Sequence, residues 1–124
     1  MKIRFRRNTI RYRLDQLDVS SLKVKGFCEE RIDIPPTNMV FSLNIAEDDS
    51  KTILFDLSHL RLDVPSALMS PLIEGSQTGF ECEIPGSGDS VLNILVERDF
   101  KCLVPRGEED NNAFDNPLQD MATC

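Results

Sequence analysis

Residues 90–105 read SVLNILVERDFKCLVP, where the longest β-type apolar run of the chain meets its tightest cluster of charges. Leu92, Ile94 and Val96 share one strand parity with Phe100 and Cys102, while Leu95, Glu97, Asp99 and Lys101 share the other. Arg98 is the one charge on the apolar parity. A run this apolar is covered on both faces for part of its length, which makes it the expected central strand. Its charged half is expected to emerge at an edge or to line a cavity.

Working outward, the earlier segments repeat this alternation. Lys2–Arg6 places Ile3 and Phe5 on one face and three cations on the other, and Thr9–Leu14 places Ile10, Tyr12 and Leu14 opposite Arg11 and Arg13. With Arg7-Asn8 as the turn, the two predict a hairpin. Asp15 suits a helix N-cap, Asp18 the first turn, and Gly26 the C-terminus, giving a short helix through Leu17, Val19 and Leu22. Cys28–Ile34 then predicts a strand with Ile32 and Ile34 inward, stopped by Pro35-Pro36, and Met39, Phe41, Leu43 and Ile45 mark the next strand.

After Asp48-Asp49-Ser50 the pattern recurs at a spacing of fifty residues. Ile3, Phe5, Ile10, Tyr12 and Leu14 fall opposite Ile53, Phe55, Leu60, Leu62 and Val64, with Arg61 opposite Arg11. Pro65 opens a second helix at its first position and Pro71 or Gly75 closes it. Asp33-Ile34-Pro35 matches Glu83-Ile84-Pro85, and one inserted residue brings Val40, Phe41, Leu43 and Ile45 opposite Val91, Leu92, Ile94 and Val96. The expectation is a mainly-β α+β domain over residues 1–105, built from an internal repeat of 1–48 on 51–99. Each unit runs strand, strand, helix, strand, strand, and the two form a pseudo-twofold antiparallel barrel or curled sheet. Residues 106–124, rich in acids and amides, read as a partly ordered tail with Phe114 and Leu118 as its docking side chains.

Composition narrows the function. The 124 residues suit one core, and a formal charge of −7 argues against general nucleic-acid binding. Residues 1–13 hold six basic side chains and no acid, leaving eight basic against 21 acidic residues elsewhere. The opening residues lack the apolar core and cleavage site of a secretory signal, and no stretch is long and apolar enough to span a membrane. Cys28, Cys82, Cys102 and Cys124 show no CxxC pairing. A reduced cytoplasmic protein is expected, with a two-disulfide secreted domain as the alternative.

The two ends carry a resemblance. Lys2, Ile3, Arg4, Arg6, Asn8, Ile10, Arg11, Arg13 and Leu14, then Val96, Glu97, Asp99, Phe100, Cys102 and Leu103, followed by Arg106, by Glu109-Asp110 and by Phe114, Asn116 and Pro117, resemble a domain of unknown function of short bacterial proteins. That domain opens MKIRxRxNSIRxRL and closes VEKDFxCL with an ED pair and an FPNP motif. Thr9 and Asp115 depart from the pattern. The resemblance implies a bacterial cytoplasmic origin and brings no activity with it.

Two constellations remain. Arg4, Arg6, Arg11 and Arg13, with Lys2 and the repeat counterpart Arg61, are candidates for binding an anion, because each guanidinium offers a planar fork of donors to phosphate or carboxylate. Their bland alternative is a solvated face paired with nearby acids. Glu97 and Asp99 stand about 7 Å apart on one strand face and are candidate ligands for Mg²⁺. The run E-x-D-x-K is similar to the E-x-E-x-K signature of triphosphate tunnel hydrolases, whose eight-stranded barrel is likewise duplicated, though here the motif lies in the last strand and not the first. His59, the only histidine, reads as a surface turn residue, and no nucleophile or zinc pattern accompanies it. The leading reading is a non-catalytic module that binds an anionic small molecule or a protein without a cofactor. The alternative is a metal-dependent phosphohydrolase or phosphate-binding barrel using Mg²⁺.

Overall fold

The alternation of the opening residues becomes a hairpin of β1 (Lys2–Arg6) and β2 (Thr9–Leu14), in the register Lys2 to Arg13 and Arg6 to Thr9. Arg7 and Asn8 both adopt positive φ, 47° and 57°, the geometry whose twist matches that of the flanking strands. The Asn8 side chain also donates to the Val91 carbonyl at 2.6 Å, tying the turn to the last strand. The computed structural model describes residues 1–100. The expectations placed on the tail at 106–124, on Lys101 and on Cys102 and Cys124 lie outside them.

The order continues with α1 (Gln16–Lys25), β3 (Phe27–Ile34), β4 (Thr37–Ala46), β5 (Thr52–Asp56), β6 (His59–Pro65), α2 (Ser66–Glu74), β7 (Gly79–Pro85) and β8 (Val91–Arg98). Asp15 begins α1 through a reciprocal capping box: its carboxylate accepts the Asp18 N–H at 2.9 Å and the Asp18 carboxylate accepts the Asp15 N–H at 2.9 Å. Gly26 closes the helix at φ 84°, donating its N–H to Leu22. The second helix is capped differently. Pro65 is its N-cap and not its first helical residue, Pro71 lies inside it, and Gly75 ends it. Arg98, the odd charge of the last strand, finishes the job by donating from Nε and one Nη to the Leu72 carbonyl at 3.0 and 2.8 Å and to that of Ile73 at 3.0 Å. In α1 the inward residues are Asp18, Val19 and Leu22, while Leu17 is 80% exposed.

Among the described residues, eight strands form two four-stranded sheets, ordered β1-β2-β8-β7 and β3-β4-β6-β5, and neither closes into the expected barrel. Nor are the sheets wholly antiparallel, since β2 runs parallel to β8 and β4 parallel to β6. Each helix carries the chain from one sheet to the other, so every sheet receives one hairpin from each half. In the second sheet the chain leaves β4 and passes β6 to enter the far-edge strand β5, which leaves β6 parallel to β4. As expected, β8 lies inside a sheet, between β2 and β7.

Exchanging the two halves of the chain turns one strand order into the other. The register departs from the sequence alignment, however. Thr9 pairs with Asn93 and His59 with Val40, so positions in β4 and β8 that meet equivalent residues of β6 and β2 are 53 apart and not 51. A slip of two residues keeps every side chain on its face, so alternation cannot detect it.

The sheets share one core. Ile10, Tyr12, Leu14, Ile94 and Val96 from one meet Phe41, Leu43, Leu60, Leu62 and Val64 from the other, with Leu22, Met69 and Leu72 from the helices. Ile32 and Ile34, expected inward, are instead 46% and 45% exposed. Their neighbours on β4 are Met39 and Thr37, whereas β6 pairs with β4 only from Val40 onward, so the tip of this hairpin projects beyond the sheet.

Candidate functional site

Strand parity sends the charges of the first sheet to the face away from the core. Because Ile10, Tyr12 and Leu14 are buried, Arg11 and Arg13 stand outward, beside Lys2 and Arg4 of β1. The parallel register places Arg13 against Glu97 of β8. Glu97 accepts from Arg11 Nε at 2.7 Å and from an Arg11 Nη, and lies 3.4 Å from Arg13 Nε. Asp99 meets Lys2 Nζ at 2.9 Å and an Arg13 Nη at 3.4 Å. The helix-proximal end of the face is therefore an ion-pair network with each carboxylate held by two cations.

Toward the β1–β2 turn the pattern changes. Arg4 and Arg6 have neither hydrogen bond nor ion pair among the described residues. Arg4 lines a shallow hollow of about 100 Å³ with Lys2, Ile3, Arg11 and Arg13. Across the same face, Glu81 and Glu83 of β7 are exposed and likewise without ion pairs among the described residues. A larger hollow of about 560 Å³ separates the two groups, lined by Thr9, Lys51, Asn93, Leu95 and these glutamates.

Arg61 does not join this site. It stands on the outer face of the second sheet, where its Nε donates to Asp63 at 2.9 Å. Four of the five anion-binding candidates thus share one face, and both metal candidates are neutralised there by arginine and lysine. Among the described residues no three His, Cys, Asp or Glu side chains group to hold a metal ion.

The family model that matches residues 1–118 is a family of unknown function, DUF7009. The chain belongs to DUF7009. No curated protein and no solved structure matches it.

What this DUF7009 chain can do must come from its side chains. Sequence reasoning placed His59 in a surface turn; it is instead the first residue of β6, half-buried, with Nε2 2.8 Å from Ser42 Oγ on β4. Asn44 Nδ2 donates to the same oxygen at 3.2 Å, and the imidazole tautomer sets whether Ser42 or His59 donates between those two. The pair has the contact of a nucleophile and its base, yet Ser42 is only 3% exposed, which keeps a substrate carbonyl from reaching Oγ. Sequence spacing could not signal it, because Ser42 and His59 meet only through the pairing of β4 with β6. Cys28 and Cys82 are free, and burial pushes the Cys28 thiol up to about 12, far from thiolate reactivity at neutral pH. The missed residues of the first face are Glu81 and Glu83, whose relation to Arg4 and Arg6 depends on β7 and β1 ending up at opposite edges of one sheet.

Among the described residues no helix is long and apolar enough to cross a membrane.

Proposed function

We propose that this chain is a small non-catalytic interaction module whose binding surface is the outer face of β1-β2-β8-β7, with Arg4 and Arg6 taking a carboxylate or phosphate of the partner. The observation that carries this reading is the split within one basic hairpin. Arg11 and Arg13 are engaged by Glu97 and Asp99, whereas Arg4 and Arg6 face outward with no acid among the described residues. Like charges held together without a counter-ion favour an incoming anion, and the effect is screened by salt. An outward face without a barrel lumen favours a module over a tunnel enzyme. Mg²⁺ at Glu97 and Asp99 would have to displace the cations already there.

The test is an NMR titration of the labelled full chain with inorganic phosphate and with triphosphate. Saturable shifts of the Arg4 and Arg6 amides are expected, weakening as salt rises and lost in Arg4→Ala/Arg6→Ala. No shift at millimolar anion, or equal shifts in the variant, defeats the reading.

We also infer that the two halves descend from one repeated unit. Its support is the shared strand order together with buried triplets fifty residues apart, Ile10, Tyr12 and Leu14 against Leu60, Leu62 and Val64.

A further inference from the structure

The register of the first sheet sets in rows the charges that have no ion pair among the described residues. Arg4 lies beside Arg11, Arg11 beside Leu95, and Leu95 beside Glu81. One row on, Arg6 lies beside Thr9, Thr9 beside Asn93, and Asn93 beside Glu83. Each row therefore runs from a cation on one edge strand to a carboxylate on the other. Three strand spacings separate them, about 14 Å, beyond any direct contact and beyond the screening length of physiological salt. Arg4 and Arg6 therefore cannot pair with Glu81 and Glu83 of the same molecule.

The geometry points to a second copy of this chain as the partner, docked face to face through β1-β2-β8-β7. This rests on the interaction-module reading and names its partner. Consider a twofold axis in the interface, parallel to the strands and passing between β2 and β8. It lays β1 of one copy over β7 of the other and leaves every residue at its own height along the strand. Arg4 then faces Glu81 of the second copy, Arg6 faces Glu83, and the same two pairs form again on the other side of the axis. Near the axis Leu95 meets the aliphatic stem of the second copy's Arg11, the half-buried apolar centre of an otherwise polar face. An antiparallel axis, across the strands, would instead stack β1 on β1 and β7 on β7, like charge on like. The charge rows thus select one of the two symmetric dockings.

The second sheet has no comparable face. Its outward arginines pair along their own strands, Arg31 with Glu29 at 3.7 Å and Arg61 with Asp63 at 2.9 Å, so its remaining outward acids, Asp33 and Asp56, have no unpaired cation on the same sheet to complement in a second copy.

The experiment is a charge exchange read by sedimentation velocity on the full chain. Wild type is expected to dimerise with a dissociation constant that rises about tenfold or more when ionic strength goes from about 20 mM to about 500 mM. Arg4→Glu/Arg6→Glu alone and Glu81→Lys/Glu83→Lys alone should each be monomeric, since each puts like charges across the axis. An equimolar mixture of the two should form a heterodimer, because both interfaces become complementary again. All four positions are exposed or half-buried on the outer face, and circular dichroism melts should show each variant folded. A wild type that stays monomeric at low salt overturns the second copy. So does a mixture that fails to associate. If that monomer still binds phosphate at Arg4 and Arg6, the module reading survives and its partner is another anion; if it does not, both fall.

Discussion

The two sheets have the same strand order and the same mixture of pairings, yet they handle charge in opposite ways. In β3-β4-β6-β5 each outward arginine finds an acid two residues away on its own strand. In β1-β2-β8-β7 the arginines are crowded on one hairpin and the acids on the other, so pairing needs neighbouring strands and succeeds only where β8 brings Glu97 and Asp99 alongside. A local pair leaves nothing over. A cross-strand arrangement leaves a remainder wherever the partner strand lacks an acid, and that remainder, Arg4 and Arg6, is what makes one face a candidate surface and the other a plain exterior.

The comparison can be broken first in the core. Leu62 and Tyr12 occupy corresponding buried positions of the two sheets. Leu62→Ala should cost about 3 kcal/mol in urea denaturation, through lost burial and the cavity left behind. Tyr12→Phe should cost nothing or stabilise by about 1 kcal/mol, because the Tyr12 hydroxyl is buried with no hydrogen-bond partner among the described residues. A large loss on Tyr12→Phe would mean that this hydroxyl is bonded after all.

The helices give the next contrast. Removing Arg98, which crosses from β8 to the carbonyls ending α2, should cost about 2 kcal/mol, and removing Asp15, a sequence-local cap, about 1 kcal/mol. Hydrogen exchange should report the first loss in both α2 and β8 and the second in α1 alone. Equal, local effects would remove the distinction between a tertiary and a local cap.

Titration sharpens it further. The Asp18 N–H holds the Asp15 carboxyl below its ordinary value, so its contribution is present above about pH 4 and lost as pH falls. Burial alone would lower the Met1 ammonium, but its bonds to Glu30 at 2.8 Å and to Asp18 at 2.9 Å outweigh this and leave it raised. Its contribution is full below about pH 8 and lost as pH rises through the higher folded value. Melting temperatures should therefore fall at both ends, with Asp15→Asn flattening the acid limb and Glu30→Gln the alkaline one. The smallest effect belongs to Arg61→Ala, within about 0.5 kcal/mol of wild type because its pair with Asp63 is exposed. A larger loss there would show that the second face is not so plain.

Much of this architecture was legible residue by residue. Side-chain parity is a property of a single strand, so Ile10, Tyr12 and Leu14 could be set on the face opposite Arg11 and Arg13, and Ile94 and Val96 on the face opposite Glu97, before any partner was known, but parity could not say whether the basic face lined a lumen or faced outward. Caps are equally local: Asp15, Asp18 and Gly26 act within one turn of their own helix ends. Which strands become neighbours was not legible, because alternation is blind to the identity of the partner and to a shift of two. Hence only the tertiary structure opened the expected barrel into two mixed sheets, sent Arg98 to α2, joined Ser42 to His59 and moved Arg61 to another face. It alone set Arg4 and Arg6 across from Glu81 and Glu83 at opposite edges, since the crossovers through α1 and α2, and no pattern within a strand, decide which hairpins share a sheet.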